Sequence, residues 1–221
     1  MSTQSPPAAS RLFFAPTVLV TGFEPFGDHA INPSAILAHA LDGATIADHR
    51  ILGRVLPVDT TTVVAALEAA IAEAGSPALV LCTGLAANRA SLALERTAVN
   101  VLSFDIPDNA GNLIREGLIH QNGDAAHFAK LPIEEIIAAW HSAGIPGYVS
   151  ETAGTYVCNQ IFYEVLALKG PSMLSGFLHL PCSHELAIAR GAAKTPSLSL
   201  ETMRTGVEIL IATALGHAHG A

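Results

Sequence analysis

Short apolar runs alternate along this chain with segments of helical spacing, and this alternation restricts its possible folds more than any other feature. Apolar runs over residues 17–23, 49–58 and 77–84 predict buried strands. Residues 32–41 and 59–75 have apolar side chains at helical spacing, with a proline or a capping residue at the start. Strands separated by helices favour parallel pairing. We therefore expect an α/β fold with a mostly parallel, twisted sheet and helices on both faces.

The same alternation continues to the end of the chain. The later predicted elements are a helix over 132–144, a strand and turn over 147–154, a helix near 156–168, a strand over 176–182 and a closing helix over 197–216. No internal repeat or long linker divides this series. We therefore predict a single α/β domain over residues 17–221, preceded by a mobile N-terminal leader over residues 1–16.

Charge and hydropathy argue against several classes of protein. Only 14% of the residues are charged, the net charge is −8 and no basic block occurs, so we expect no nucleic-acid partner. The apolar runs are shorter than the roughly 20 residues of a membrane span, and the N-terminus lacks the basic region of a secretory signal. The three cysteines do not suggest a disulfide framework. These features favour a cytoplasmic enzyme or binding protein.

Cys158 follows a turn of small residues, at the point where the pattern predicts the start of a helix. The first turn of a helix offers unpaired backbone N–H groups and a partial positive charge. Both lower the pKa of a thiol, and the same amides can stabilise an oxyanion. A nucleophile is therefore one interpretation. The alternative is a buried core cysteine, which composition alone favours.

A cysteine nucleophile needs a base, which is usually a histidine. Of the ten histidines, His179 is best placed, because it lies near the end of a predicted strand that follows the Cys158 helix. His184 is a nearby competitor for the same role. We expect one helix–strand unit to bring His179 and Cys158 together.

A third group should orient the imidazole of the base. Glu95 is a candidate because its neighbours in the sequence are apolar, and a carboxylate in such surroundings needs a partner. The alternative is an ion pair with Arg89 or Arg96, which spacing alone favours. The motifs of serine hydrolases, phosphate-binding loops and zinc sites are absent, so those classes of site find little support in the sequence.

Several segments, in this order along the chain, resemble the pyroglutamyl peptidase I (pyrrolidone-carboxylate peptidase) family of cysteine peptidases. The resemblance extends from about residue 17 to the end of the chain. The matching segments are "VTGFEPFGDHAINPS", "ERTAVN" with "DIPDNAGN", "ETAGTYVCN", "GFLHLP" and "SLSLETMRTGVEI". Several matches in the correct order are far more specific than any one of them alone.

The resemblance implies a Cys–His–Glu triad carried by Cys158, His179 and Glu95. It implies hydrolysis of the amide bond that follows the N-terminal pyroglutamyl residue of a small peptide. It also implies a cytoplasmic enzyme that needs no metal or cofactor and assembles as a homotetramer.

Five further residues match family positions that surround the pyrrolidone ring of the substrate. Phe23 and Phe26 match aromatic residues of the first loop, and Asn32 matches an asparagine near the lactam. Tyr156 and Val157 match residues that shape the pocket just before the cysteine. Pyroglutamate is small, flat and uncharged, so aromatic rings can cover its faces. A site that hydrogen-bonds the lactam would reject proline, which lacks the ring carbonyl.

Two positions depart from the family pattern. Leu85 stands where a glutamine commonly borders the substrate, and Asp105 stands where an arginine is common near the oxyanion. These departures keep two alternatives open: a divergent cysteine amidase for another N-blocked or lactam-like group, and a non-catalytic binding relative.

Overall fold

The computed structural model describes residues 16–168, 173–191 and 194–220. Residues 1–15, which make up most of the predicted leader, lie outside this range. The strands are β1 (Thr17–Phe23), β2 (Thr45–Ile46), β3 (His49–Leu56), β4 (Leu79–Leu85), β5 (Leu92–Val99), β6 (Ala126–Phe128), β7 (Gly147–Thr152), β8 (Leu174–Leu180), β9 (Cys182–Ser183) and β10 (Ser197–Leu198). The helices are α1 (Pro33–Leu41), α2 (Val63–Ala74), α3 (Ile133–Ser142), α4 (Val157–Ala167), α5 (His184–Ala189) and α6 (Leu200–Gly220).

The main sheet is mixed and mostly parallel, which confirms the predicted fold class. Its strand order is β2-β3-β1-β4-β8-β5-β6, and β7 also pairs with β5. Strands β3, β1, β4 and β8 are parallel to one another. Strand β5 is antiparallel to β8 and parallel to β7. This antiparallel pairing was not predicted, and it places β5 directly beside β8.

Helices cover both faces of the sheet, as the alternation of elements predicted. One core cluster contains side chains of α2 and α4, among them Leu67 and Phe162. The other contains side chains of α1, α3 and α6, among them Leu37 and Trp140. The α4 helix, which carries Cys158, therefore lies on the same face as α2. Within the part of the chain that the structure describes, no helix is long and apolar enough to cross a membrane.

Local side-chain chemistry explains where several elements begin and end. The Asn32 side chain caps α1 by accepting a hydrogen bond from Ser34 N at 3.1 Å. Gly75 ends α2 in the left-handed region at a φ of 65°. The closing helix α6 begins at Leu200 rather than at residue 197, because the Ser199 hydroxyl accepts from Thr202 N at 3.1 Å. Residues 197–198 instead form β10, which pairs with β9.

Candidate active site

Cys158 is the second residue of α4, close to the predicted position. The N-cap residue Tyr156 is extended and forms no side-chain capping bond, so the backbone N–H groups of the first turn remain available. Gly154 precedes it with a φ of 82°, a left-handed conformation that favours glycine. The turn before Cys158 therefore turns the chain sharply into a helix whose first amides have no side-chain partner.

The start of α4 is fixed by two buried amide side chains that follow Cys158. Asn159 accepts from Val99 N at 2.9 Å and donates to the carbonyl oxygens of Val99 at 2.8 Å and Val101 at 3.0 Å. Gln160 accepts from the Thr60 hydroxyl at 2.8 Å and donates to the Thr60 carbonyl at 3.1 Å. Asn159 thus ties the helix start to the end of β5.

Glu95 and His179 lie on the neighbouring strands β5 and β8. Glu95 is opposite Phe177 and Ala93 is opposite His179, so Glu95 and His179 are diagonal neighbours on one face of the sheet. The His179 Nδ1 atom is 2.7 Å from Glu95 Oε1. Both side chains are buried, at 0% exposure for Glu95 and 5% for His179. A carboxylate in this position holds the imidazole in one orientation.

Arg89 also binds Glu95. Its Nη1 donates to the same Oε1 atom at 2.7 Å, and its guanidinium lies 6.0 Å from the centre of the Tyr148 ring. The two interpretations of Glu95 from the sequence, a partner of histidine and a partner of arginine, are therefore both correct. Arg96 is engaged elsewhere, with Glu134 and Glu151. From the sequence, Arg89 was considered only as an alternative partner of Glu95. Spacing along the chain cannot show that one carboxylate oxygen accepts hydrogen bonds from two side chains.

The environment of the thiol differs from the expected one. Burial, together with the charges of Glu95 and Cys82, raises the pKa of Cys158 to about 12. The start of a helix was expected to lower this pKa, but loss of hydration next to a carboxylate outweighs that effect. Gly84 leaves room for the sulfur, since a Cβ atom there would lie 3.0 Å from Cys158 Sγ. The structure therefore favours a neutral thiol in the free protein.

A cavity of about 420 Å³ opens in front of these groups, and both Cys158 and His179 line it. Its other lining residues include two aromatic side chains and the two positions that depart from the family pattern: Phe26, Tyr156, Leu85 and Asp105. Its size is within the usual range for a small-molecule site, and it combines an apolar wall with a few polar groups. His184 does not line this cavity and lies 3.0 Å from the Ser197 hydroxyl.

The predicted substrate-contacting residues divide into two groups. Phe26 and Tyr156 line the cavity, with ring centres 6.1 Å apart. Phe23, Asn32 and Val157 do not line it, and their exposure is between 1% and 2%. Phe23 and Val157 pack in the core, and Asn32 caps α1 and donates to the Glu24 carbonyl at 3.1 Å. Their direct contact with a substrate stays a prediction.

A thiol at a helix start and a buried Glu–His pair, placed beside one cavity of an α/β fold, are the groups that a cysteine hydrolase uses. The family model described as pyroglutamyl peptidase matches residues 16–217. The chain therefore belongs to the pyroglutamyl peptidase family, as its motifs predicted.

Individual relatives agree with this assignment. The chain is 43% identical over 202 residues to a pyrrolidone-carboxylate peptidase of Escherichia fergusonii, covering 90% of this chain and 92% of that protein. It is 39% identical to a pyrrolidone-carboxylate peptidase of Pyrococcus furiosus, covering 88% of this chain and 97% of that protein. A solved structure of a mutant pyrrolidone carboxyl peptidase from Pyrococcus furiosus superposes with a TM-score of 0.86 at 40% identity, covering 91% of this chain and 99% of that chain.

Proposed function

We propose that this protein removes N-terminal pyroglutamyl residues from peptides, with Cys158 as nucleophile, His179 as general base and Glu95 as the group that orients His179. The observation that carries the proposal is the 2.7 Å contact between His179 Nδ1 and Glu95 Oε1, beside a cavity that Cys158 and His179 share. Membership of the pyroglutamyl peptidase family supports the choice of substrate.

The chemistry proceeds from the neutral thiol. With Nδ1–H donated to Glu95, the Nε2 atom of His179 is the basic nitrogen. It accepts the thiol proton while Sγ attacks the carbonyl carbon after the pyroglutamyl ring, and the open amides of α4 stabilise the resulting oxyanion. The C–N bond then breaks, and His179 gives its proton to the departing amine. Water hydrolyses the thioester, assisted by the same imidazole, and restores the thiol.

The cavity suits a flat, uncharged ring. Phe26, Tyr156 and Leu85 provide apolar surface along its wall. Asn32 supports the loop that carries Phe26, because its side chain joins the Glu24 carbonyl to the first turn of α1. Phe23 and Val157 pack beneath the site in one core cluster. In this proposal these three residues shape the pocket from beneath.

The resemblance to the family also supports a cytoplasmic location and assembly as a homotetramer. Size-exclusion chromatography with light scattering tests the assembly, and a monomeric mass over the working concentration range would contradict it. The proposed partner is a small peptide that begins with pyroglutamate.

The activity is tested with a pyroglutamyl aminomethylcoumarin reporter under reducing conditions. We expect steady release of the fluorophore by the unmodified protein and none above background by Cys158→Ala. The Cys182→Ala variant serves as a matched control, because it also removes a free thiol but Cys182 is not a lining residue of the cavity. Equal turnover by the unmodified protein and Cys158→Ala would contradict the proposed nucleophile.

A cysteine amidase acting on another N-blocked or lactam-like group is the second candidate. It is favoured by Leu85 and Asp105, which both line the cavity and change its polar character. A panel of acyl-amide reporters, compared with the pyroglutamyl reporter, separates the two candidates. A higher kcat/KM for another acyl group would favour the second one.

A further inference from the structure

The short loop 103–107 is fastened on both sides to the turn that precedes Cys158. Ser103 N donates to the Thr155 carbonyl at 3.0 Å, and the Thr155 hydroxyl donates to the Ser103 carbonyl at 2.7 Å. On the other side of the loop, the Tyr156 hydroxyl donates to the Pro107 carbonyl at 3.1 Å. The residues between these anchors are therefore held in a fixed position relative to the nucleophile.

Asp105 lies between the anchors, and its exposed side chain lines the cavity. It is the only carboxylate among the lining residues. Over residues 16–168, 173–191 and 194–220, no Lys, Arg or His forms an ion pair with it, whereas the neighbouring Arg115 donates to the Phe104 carbonyl. The cavity thus presents one negative charge without a protein counterion.

The exposure of the loop indicates which part of a substrate this charge meets. Ile106, next to Asp105, is 45% exposed, while His179 is only 5% exposed, so the loop forms the outer part of the cavity and the base its inner part. A pyroglutamyl residue has a blocked nitrogen and nothing attached before it, so its ring can occupy the closed end. The rest of the peptide then has to leave through the outer part, past Asp105.

We propose that Asp105 makes this enzyme prefer peptides in which a cationic residue directly follows the pyroglutamyl residue. The inference rests on the proposed function and names the substrate class of that same site. An exposed ion pair contributes modestly, so lysine is favoured over glutamine by about two- to fivefold in kcat/KM, and glutamate is disfavoured by a similar factor. The preference falls as ionic strength rises, because the carboxylate is exposed to solvent.

The test is a competition among pyroglutamyl-Lys-amide, pyroglutamyl-Gln-amide and pyroglutamyl-Glu-amide in one reaction, with the released amino-acid amides separated and quantified. The ratio of rates then gives the ratio of kcat/KM values directly. We expect a Lys-to-Glu ratio of about 4 to 25 at low salt, and a ratio that decreases at high salt. Asp105→Asn should bring the ratio close to one, and Asp105→Lys should invert it.

Glu68→Gln is the matched control, since it removes the same charge from the exposed surface of α2 and should leave the ratio unchanged. Turnover of all three peptides at equal rates, or an unchanged ratio in Asp105→Asn, overturns the role of Asp105 and leaves the proposed function intact. Failure to cleave any of the three peptides overturns the proposed function, and this inference with it.

Discussion

Replacing Gly84 by alanine tests whether the position of the thiol depends on the missing side chain at that residue. A Cβ atom on Gly84 would lie 3.0 Å from Cys158 Sγ and 3.0 Å from Cζ of Phe177. Because these contacts are shorter than ordinary van der Waals contacts, both neighbours have to move by a few tenths of an ångström. Gly84 is opposite His179 in the β4–β8 register, and the rings of Phe177 and His179 lie 4.8 Å apart. The extra methyl group therefore disturbs both the proposed nucleophile, Cys158, and the proposed base, His179.

The extra methyl group should affect both catalysis and folding. Overpacking a core typically costs about 1–3 kcal/mol of the free energy of unfolding. A displacement of about 1 Å in a reacting group can lower the rate by about 100-fold. Since the shift at Gly84 is smaller than this, we expect Gly84→Ala to lower kcat by about 3- to 10-fold and the free energy of unfolding by about 1–3 kcal/mol.

Turnover of the pyroglutamyl reporter and unfolding in urea measure these two quantities. Gly216→Ala is the matched control, because a Cβ atom there meets nothing within 4 Å and the residue lies in α6. In a helix this change should leave kcat unaffected and raise the free energy of unfolding by about 0.5–1 kcal/mol. A folded Gly84→Ala protein with the kcat of the unmodified protein would refute the reasoning, since the thiol would then tolerate the contact.

Three further outcomes are expected. Glu95→Gln keeps an oxygen for hydrogen bonds but removes the charge, so kcat of the reporter should fall by about 10- to 100-fold; a fall of less than twofold would contradict an orienting role. Asn159→Ala removes three buried hydrogen bonds, so the free energy of unfolding in urea should fall by about 2–4 kcal/mol. An unchanged midpoint would show that other contacts fix the start of α4. Burial raises the pKa of Cys82 from its ordinary 9.0 to about 12, so above pH 9 the unfolded chain loses this proton first. The free energy of unfolding should then fall by about 1.4 kcal/mol per pH unit between pH 9 and 12 because of this thiol, and Cys82→Ala should have a shallower slope over the same range.

The elements that the sequence predicted well have their signals within a few neighbouring residues. Strand β1 is a continuous apolar run, and α3 has proline just before its first residue and Gly144 just after its end. Strand β5 was missed because Glu95 interrupts its apolar run, and a buried glutamate is rare in a strand. The antiparallel direction of β5 depends on pairing with β8, about 80 residues further along the chain, and nothing in the local pattern encodes it.

In the candidate site, too, local signals in the sequence were interpreted correctly and features that depend on long-range packing were missed. Cys158, His179 and Glu95 were identified from short motifs, and the structure brings Glu95 and His179 into contact. The opposite shift of the pKa of Cys158 was missed, because burial and the nearness of Glu95 depend on how the helix packs on the sheet. For the same reason, the sequence alone could not divide the five predicted substrate-contacting residues between the cavity wall and the core.

Glu95 Oε1 accepts hydrogen bonds from two side chains, Arg89 and His179. This arrangement explains how a buried carboxylate can lie close to a neutral thiol. Arg89 supplies a permanent positive charge, so the buried Glu95 carboxylate has a counterion besides His179. His179 can then keep its basic nitrogen free while its other nitrogen is held by the carboxylate. The pKa of the Cys158 thiol is raised by burial and by the same carboxylate. In the proposed mechanism, His179 takes the thiol proton as Sγ attacks, so charge separates where the substrate oxygen can accept it beside the open amides of α4.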